Sequence, residues 1–238
     1  MNNIKIYIPH YSKLIERKPL IAKELAAAGI NQFTFYEKFD KECITEEEFS
    51  NDASLIRTKI SNFIPEQVIN NFLRDGLTQG EKSLSLKHKN IYKEFLETSK
   101  EEDILLILED DARLARGFKN IIETLVSKAK FSCINLSAGA NKEIVPLTND
   151  KLERLSLTEV KHHPFNTGTE GYMMSYSCVS KVYDIICKKK LCLPIDWELS
   201  YVFMSSNLEC HRVIPCLTYQ ASMTGQFVSS IRDRGTDY

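Results

Sequence analysis

The sequence predicts an α/β protein, and three observations carry that expectation. First, the chain opens β-α-β. Ile4 to Ile8 alternates β-formers and stops at Pro9-His10, a helical pattern follows with Leu14, Ile15, Ile21 and Leu25 on one side, and Gln32 to Tyr36 reads as the next strand. Gly29 is placed to close the helix, and such a unit implies a parallel pair joined by a right-handed crossover. Second, Ile104 to Leu108 is an unbroken apolar run with the length of a strand buried on both faces. Third, helical and extended patterns keep alternating as far as Thr218, with no repeat, low-complexity tract or linker between them.

Composition sets the bounds. At 238 residues the chain is long enough for a sizeable core, and its 43% apolar and 26% charged residues are those of an ordinary globular protein. A net charge of −1 lacks the basic excess of a dedicated nucleic-acid binder. No apolar run approaches the length that spans a bilayer, and Met1 to Ile8 lacks the arrangement of a signal peptide. The cysteines, Cys43, Cys133, Cys178, Cys187, Cys192, Cys210 and Cys216, are odd in number, with no C-x-x-C and no histidine at zinc-finger spacing. Reduced, mostly buried thiols in a cytoplasmic protein are therefore expected.

Between these landmarks, residues 40–80 read as a polar excursion over the sheet, with a short helix from Pro65 to Arg74 closed by Gly76. Leu84, His88, Ile91 and Phe95 mark a helix from Glu81 to Thr98. Phe118, Ile121, Ile122, Leu125 and Ala129 mark another, and Cys133 to Leu136 is a short strand. Ala138 to Thr169 is polar, carries His162-His163-Pro164, and reads as a loop or small subdomain near a site. Gly171 to Ser175 is a strand, followed by a helix marked by Val179, Val182, Tyr183 and Ile186. Pro194-Ile-Asp196 opens another helix with Asp196 suited to its N-cap, and Val213 to Thr218 is the last clear strand. The end, from Gln220, is polar and carries Arg232 and Arg234.

The chemistry concentrates where the apolar strand stops, at Glu109, Asp110 and Asp111. Crowding like charges beside a low-dielectric core is unfavourable, and a cation or a solvated turn relieves it. In an extended backbone Glu109 and Asp111 point to one side and Asp110 to the other. Open α/β sheets bind ligands at this end of their strands. Two carboxylates there suit Mg²⁺ or Mn²⁺ bridging a diphosphate; a plain solubilising turn is the alternative. Asp196 is the candidate proton acceptor, with the flat face of Trp197 beside it for a sugar ring, set against a simple capping role worth about 1 kcal/mol. Gly168-Thr-Glu-Gly171 is either a close backbone approach to a ligand or an ordinary tight turn. His88 reads first as a satisfied buried histidine, and His162 and His163 as solvated. Lys188 to Lys190 complements a helix end, or touches anionic lipid peripherally.

With these residues in place, the sequence resembles glycosyltransferase family 25, which holds bacterial lipopolysaccharide and lipooligosaccharide galactosyltransferases and collagen galactosyltransferase domains. Gly80-Glu81 and His88 resemble the family's G-E followed by S-H, with Lys87 in place of the serine. Ile107-Leu-Glu-Asp-Asp-Ala112 matches its L-E-D-D-A form of the D-x-D motif, and Gly168 to Ser175 resembles its G-T-x-G-Y segment. Leu193-Pro-Ile-Asp196 resembles P-V-D, Gln220 with Ser229-Ser-Ile231 resembles the closing Q and S-x-I, and Arg17 sits where the family has an arginine after its first strand.

The resemblance implies a GT-A fold, a Rossmann-like α/β/α sandwich with a mixed central sheet, as a single domain over residues 1–238. It also implies a UDP-sugar donor, most often UDP-galactose, a Mn²⁺ or Mg²⁺ ion, a glycan acceptor, and inversion at the anomeric carbon. By position, Asp111 would be the principal metal ligand, with Glu109 and Asp110 completing the turn and orienting the donor. Pro9, His10 and Arg17 would lie near the nucleotide, and Lys87, His88, Thr169 and Gly171 fall in the matched motifs on the donor side. Asp196 would be general base or acceptor-orienting acid. Lys87 for serine and the long stretch between Asp40 and Gly80 depart from the pattern. Two rivals stand beside this reading. One is a Mg²⁺-dependent phosphatase, for which Glu109 is a poorly suited nucleophile; the other is a non-catalytic sugar- or partner-binding module.

Overall fold

A computed structural model describes residues 3–60, 66–128, 130–137, 155–161, 164–165 and 168–221. β1 (Ile4–Pro9), α1 (Arg17–Ala27) and β2 (Thr34–Tyr36) form the opening unit. β1 and β2 run parallel, with Tyr7 opposite Thr34 and Pro9 opposite Tyr36. Gly29 follows α1 at φ +77°, and the amides of Gly29 and Ile30 reach back to the carbonyls of Ala26 and Leu25. The positive φ is open to glycine without a Cβ penalty, which is why the helix stops there.

The excursion then folds as α2 (Ala53–Ile60) and α3 (Glu66–Asp75). α2 is absent from the sequence expectation, although Asp52 supplies the usual start signal: its carboxylate accepts from the amides of Ser54 (2.7 Å) and Leu55 (3.3 Å). α4 (Gln79–Thr98) begins earlier than expected because Thr78 and Glu81 cap it reciprocally. After it come β3 (Ile104–Leu108), β4 (Ala112–Leu114), α5 (Phe118–Lys128) and β5 (Cys133–Asn135). β6 (Ser156–Glu159) lies inside the stretch read as a loop. Its polar, exposed residues carry little strand signal, and pairing with a neighbour decides its state.

The chain closes with β7 (Gly171–Ser175), α6 (Tyr176–Lys189), α7 (Ile195–Ser205), β8 (Cys210–Ile214) and β9 (Thr218–Gln220). The expected last strand is thus two strands: β8 starts at Cys210, and Thr218 belongs to β9. The main sheet has the order β2-β1-β3-β7-β5-β8-β6. β7 is antiparallel to both neighbours and β6 is antiparallel to β8, so the sheet is mixed. β4 and β9 form a separate two-stranded ribbon.

Period-two alternation divides the core between two faces. Leu105, Ile107, Cys133, Tyr172, Met174 and Cys210 pack against α4, α6 and α7. Ile6, Ile8, Leu106, Leu108, Ile134, Met173 and Val213 pack against α1 and α5. Every residue of β3 is buried, as a strand covered on both sides must be. Four thiols (Cys133, Cys178, Cys192 and Cys210) are buried, while Cys43 and Cys187 are exposed, and all are free. No helix among the described residues is long and apolar enough to cross a membrane. Pro65, Ala129, His162, His163, Ser229 to Ile231, Arg232, Arg234 and most of the stretch after Ala138 fall outside the described residues.

Candidate functional site

The carboxylates after β3 lie in a tight turn closed by the Ala112 amide on the Glu109 carbonyl at 3.1 Å, and Asp110 and Glu109 take different partners. Asp110 turns toward the α1 face. One of its oxygens accepts from Arg17 at 2.8 Å and the other lies 2.7 Å from His10 Nδ1. His10 follows β1 directly and Arg17 is the first residue of α1, so one carboxylate fixes both ends of the loop between them. All three side chains are almost wholly buried, and a buried guanidinium is tolerable only with such a partner. Pro9 itself is a buried strand residue paired with Tyr36.

Glu109 turns the other way. Its oxygens accept from Thr169 Oγ1 at 2.6 Å and Gln220 Nε2 at 2.8 Å. Its amide donates to the carbonyl of Glu170 at 3.1 Å. Asp111 is buried, and its carbonyl accepts from the Ala221 amide at 3.0 Å. The β4–β9 ribbon, with Ala112 opposite Gln220, thus clamps the acidic turn from the far end of the described chain. Burial pushes the Glu109 carboxyl up to about 8, and the charges of Asp111 and Glu170 add to the push.

Glu170 is a site residue that the sequence reading passed over, although it lies between Thr169 and Gly171. It is 1% exposed and its Oε2 has no hydrogen-bond partner. Burial raises it to about 7; a backbone donor and Ser137 restrain it, while Asp111 and Asp196 push the same way as burial. Gly168, at φ +123°, makes room for it, since a Cβ there would lie 2.7 Å from both Glu170 oxygens. Gly171 has a packing reason instead: its missing Cβ would meet Thr218 Oγ1 at 2.7 Å and Leu108 at 3.2 Å. Gln220, noticed only as part of a motif, is the other omission; no local pattern tells that residue 220 reaches residue 109.

Asp196 stands in the first turn of α7 rather than at its N-cap, which is Pro194. The capping alternative is therefore replaced by a first-turn carboxylate whose Oδ1 accepts from the Trp197 amide at 2.9 Å. Burial lifts it to about 6, with the Glu81 charge adding to the effect. Glu109, Asp111, Glu170 and Asp196 are thereby linked by mutual repulsion into one electrostatic neighbourhood. Trp197 packs partly against Ile56, Ile60, Ile69 and Leu193, so the excursion makes contact beside Asp196. Buried Lys59 adds an ion pair with Glu198, two residues on.

The remaining candidates separate. Lys87 is 2% exposed and donates to the Lys38 carbonyl and to Asp40 Oδ1, both at 2.7 Å. Asp40 in turn accepts from the Ser12 amide at 3.2 Å, so Lys87 braces the loop after β1. His88 lies in the core, not at the acidic turn. It is fully buried, 2.7 Å through Nδ1 from the Tyr172 hydroxyl, which in turn lies 2.6 Å from that of Tyr92. Burial lowers it to about 3, so the ring is neutral.

The chemistry of the donor set suits a hard divalent ion. Asp111 and Glu109 offer only oxygens, and each Glu109 oxygen keeps a lone pair beyond its hydrogen bond. Among the described residues no three acidic, histidine or cysteine side chains converge on one point. An ion there would complete its shell with water or substrate oxygens, as Mg²⁺ and Mn²⁺ commonly do.

Fold and site together define an α/β protein with carboxylates gathered at the carboxyl end of its central strand, where such sheets take their ligands. Residues 3–198 match the model of glycosyltransferase family 25, described as LPS biosynthesis protein, and the chain belongs to that family. Glycosyl transfer is the chemistry that membership gives. Among curated proteins none matches the chain. One solved structure, described as the crystal structure of a glycosyltransferase involved in the glycosylation of the major capsid of PBCV-1, is 13% identical. The match covers 92% of this chain and 94% of that one, with a TM-score of 0.41, a likeness too slight to extend the family assignment.

Proposed function

We propose that the protein transfers a hexose, galactose by the family resemblance, from a UDP-sugar to a saccharide acceptor such as lipopolysaccharide or another surface glycan, with inversion and with Mn²⁺ or Mg²⁺ as cofactor. The observation that supports this most is the acidic turn at the carboxyl end of β3 within the family match, where Glu109 feels the charges of Asp111 and Glu170 that a substrate-borne cation would relieve. Asp111 and Glu109 would hold the ion, which when bound offsets charge on the departing diphosphate. Thr169 and Gln220 keep the Glu109 carboxylate aimed while Asp110 holds the loop after β1 through His10 and Arg17. Asp196 accepts the proton of the attacking acceptor hydroxyl. Its value of about 6 leaves it ionised at neutral pH yet more basic than an ordinary aspartate, which suits a general base.

A panel of UDP-sugars, assayed for hydrolysis and transfer with Mn²⁺ and with EDTA, tests the reading. One UDP-hexose should turn over only with metal. Asp196→Asn should lower turnover about a hundredfold or more while UDP binding by calorimetry stays near wild type. A defect confined to binding would give Asp196 a structural role instead, and no metal-dependent turnover of any UDP-sugar would sink the proposal.

A further inference from the structure

The arginine at the centre of β8 has an unpartnered bidentate edge. Arg212 lies opposite Asn135 on β5 and Thr158 on β6. It shares the parity of Cys210 and so faces the side covered by α7, the helix that carries Asp196. Its Nε and Nη2 are both buried, and neither has a hydrogen-bond partner. These two nitrogens form one edge of the guanidinium, whose parallel N–H pair matches the two oxygens of a carboxylate or phosphate. Buried charged donors left unmade cost more than neutral ones, and nothing among the described residues answers them. Arg212 is also tied to the acidic neighbourhood. The Cys216 thiol feels both the Arg212 cation and the Glu170 carboxylate, so both charges lie within electrostatic reach of it.

We propose that Arg212 is an anion-reading residue for the acceptor, which is accordingly an acidic glycan carrying a phosphate or a carboxylate. The acceptor side is favoured over the donor by position. β8 is three strand spacings from β3 in the sheet order, on the order of 14 Å, farther than a diphosphate gripped at Asp111 extends. The inference rests on the transfer reading for its acceptor but stands on a separate residue and is tested by binding rather than turnover.

Calorimetric titration at fixed ionic strength with glucose 6-phosphate, glucuronic acid and glucose decides it. The wild-type protein should bind at least one acidic sugar about tenfold tighter than glucose, a difference expected of one charged bidentate contact. The better of the two acidic sugars identifies the anion as phosphate or carboxylate. Arg212→Gln should bind all three alike, and Arg212→Lys, which keeps the charge without the planar edge, should not restore the preference; circular dichroism confirms that each variant is folded. Equal binding of acidic and neutral sugars by the wild type overturns the inference without recourse to any variant, as does an Arg212→Gln protein that keeps the preference. The transfer reading fails separately, if the wild-type protein hydrolyses no UDP-sugar in the presence of Mn²⁺.

Discussion

The two sides of one acidic turn contrast sharply. On the α1 side Asp110 has a guanidinium on one oxygen and an imidazole on the other, and its work is to hold two chain segments together. On the other side Glu109 feels Asp111 and Glu170, Glu170 feels Asp111 and Asp196, and burial raises Glu109, Glu170 and Asp196 above the ordinary carboxylate range. Adjacent residues of identical charge thus sit in opposite surroundings: Asp110 is met by cationic and imidazole partners, while Glu109 is crowded by other carboxyls. The turn that follows Leu108, closed by the Ala112 amide on the Glu109 carbonyl, assigns which is which.

The largest expected effect separates the two sides directly. Asp111→Asn should cost about a thousandfold or more in metal-dependent turnover, roughly 4 kcal/mol, with the unfolding midpoint near wild type; normal turnover would remove the ion-holding role. Asp110→Ala should do the reverse. It strips the carboxylate from buried Arg17 and His10, for about 3 kcal/mol of stability lost in urea unfolding. If it instead unfolds like the wild type and is merely inactive, the division of labour is wrong.

Gly168→Ala is a smaller perturbation of the crowded side. Alanine at φ +123° and a Cβ within 2.7 Å of the Glu170 oxygens would displace that carboxyl, at about 2 kcal/mol of strain. Unchanged stability would show that the segment yields freely.

The smallest effect is one of pH. Glu109 and Glu170, raised to about 8 and 7, keep protons in the native state that the unfolded chain has released above about 4.5. The unfolded state binds fewer protons, so stability of the metal-free protein should fall as pH rises through this range and level off above about 8. The buried His88, held near 3 in the native state, is protonated in the unfolded chain below about 6.5, so it opposes the decline at the acid end and adds no slope above about pH 7.5. Added Mn²⁺ should flatten the decline; a urea midpoint that rises with pH in EDTA would contradict the crowding.

Much of this was legible in the residues. The unbroken Ile104 to Leu108 run gave away a strand covered on both faces and the β-α-β opening gave the parallel pair; Asp110 does part from Glu109, but through a turn and not through the extended backbone that the residues suggested. What escaped notice has physical reasons. β4, β6 and β9 are three or four residues long, too short for a period to emerge, and exist through their partners. Lys59 looks like any solvated lysine until Glu198, 139 positions later, meets it in the core. Glu170 was hidden because its burial depends on Gly168 and on the packing of β7 against β3, neither of which is a local property.

The ribbon that joins Asp111 to Ala221 has a consequence for biosynthesis. The Glu109 carboxylate waits for Gln220, a partner 111 positions downstream, and the nascent chain emerges from its amino end. A nascent chain that stops short of residue 220 therefore carries the acidic turn without its clamp, and the Glu109 carboxylate is fixed only once that residue has emerged.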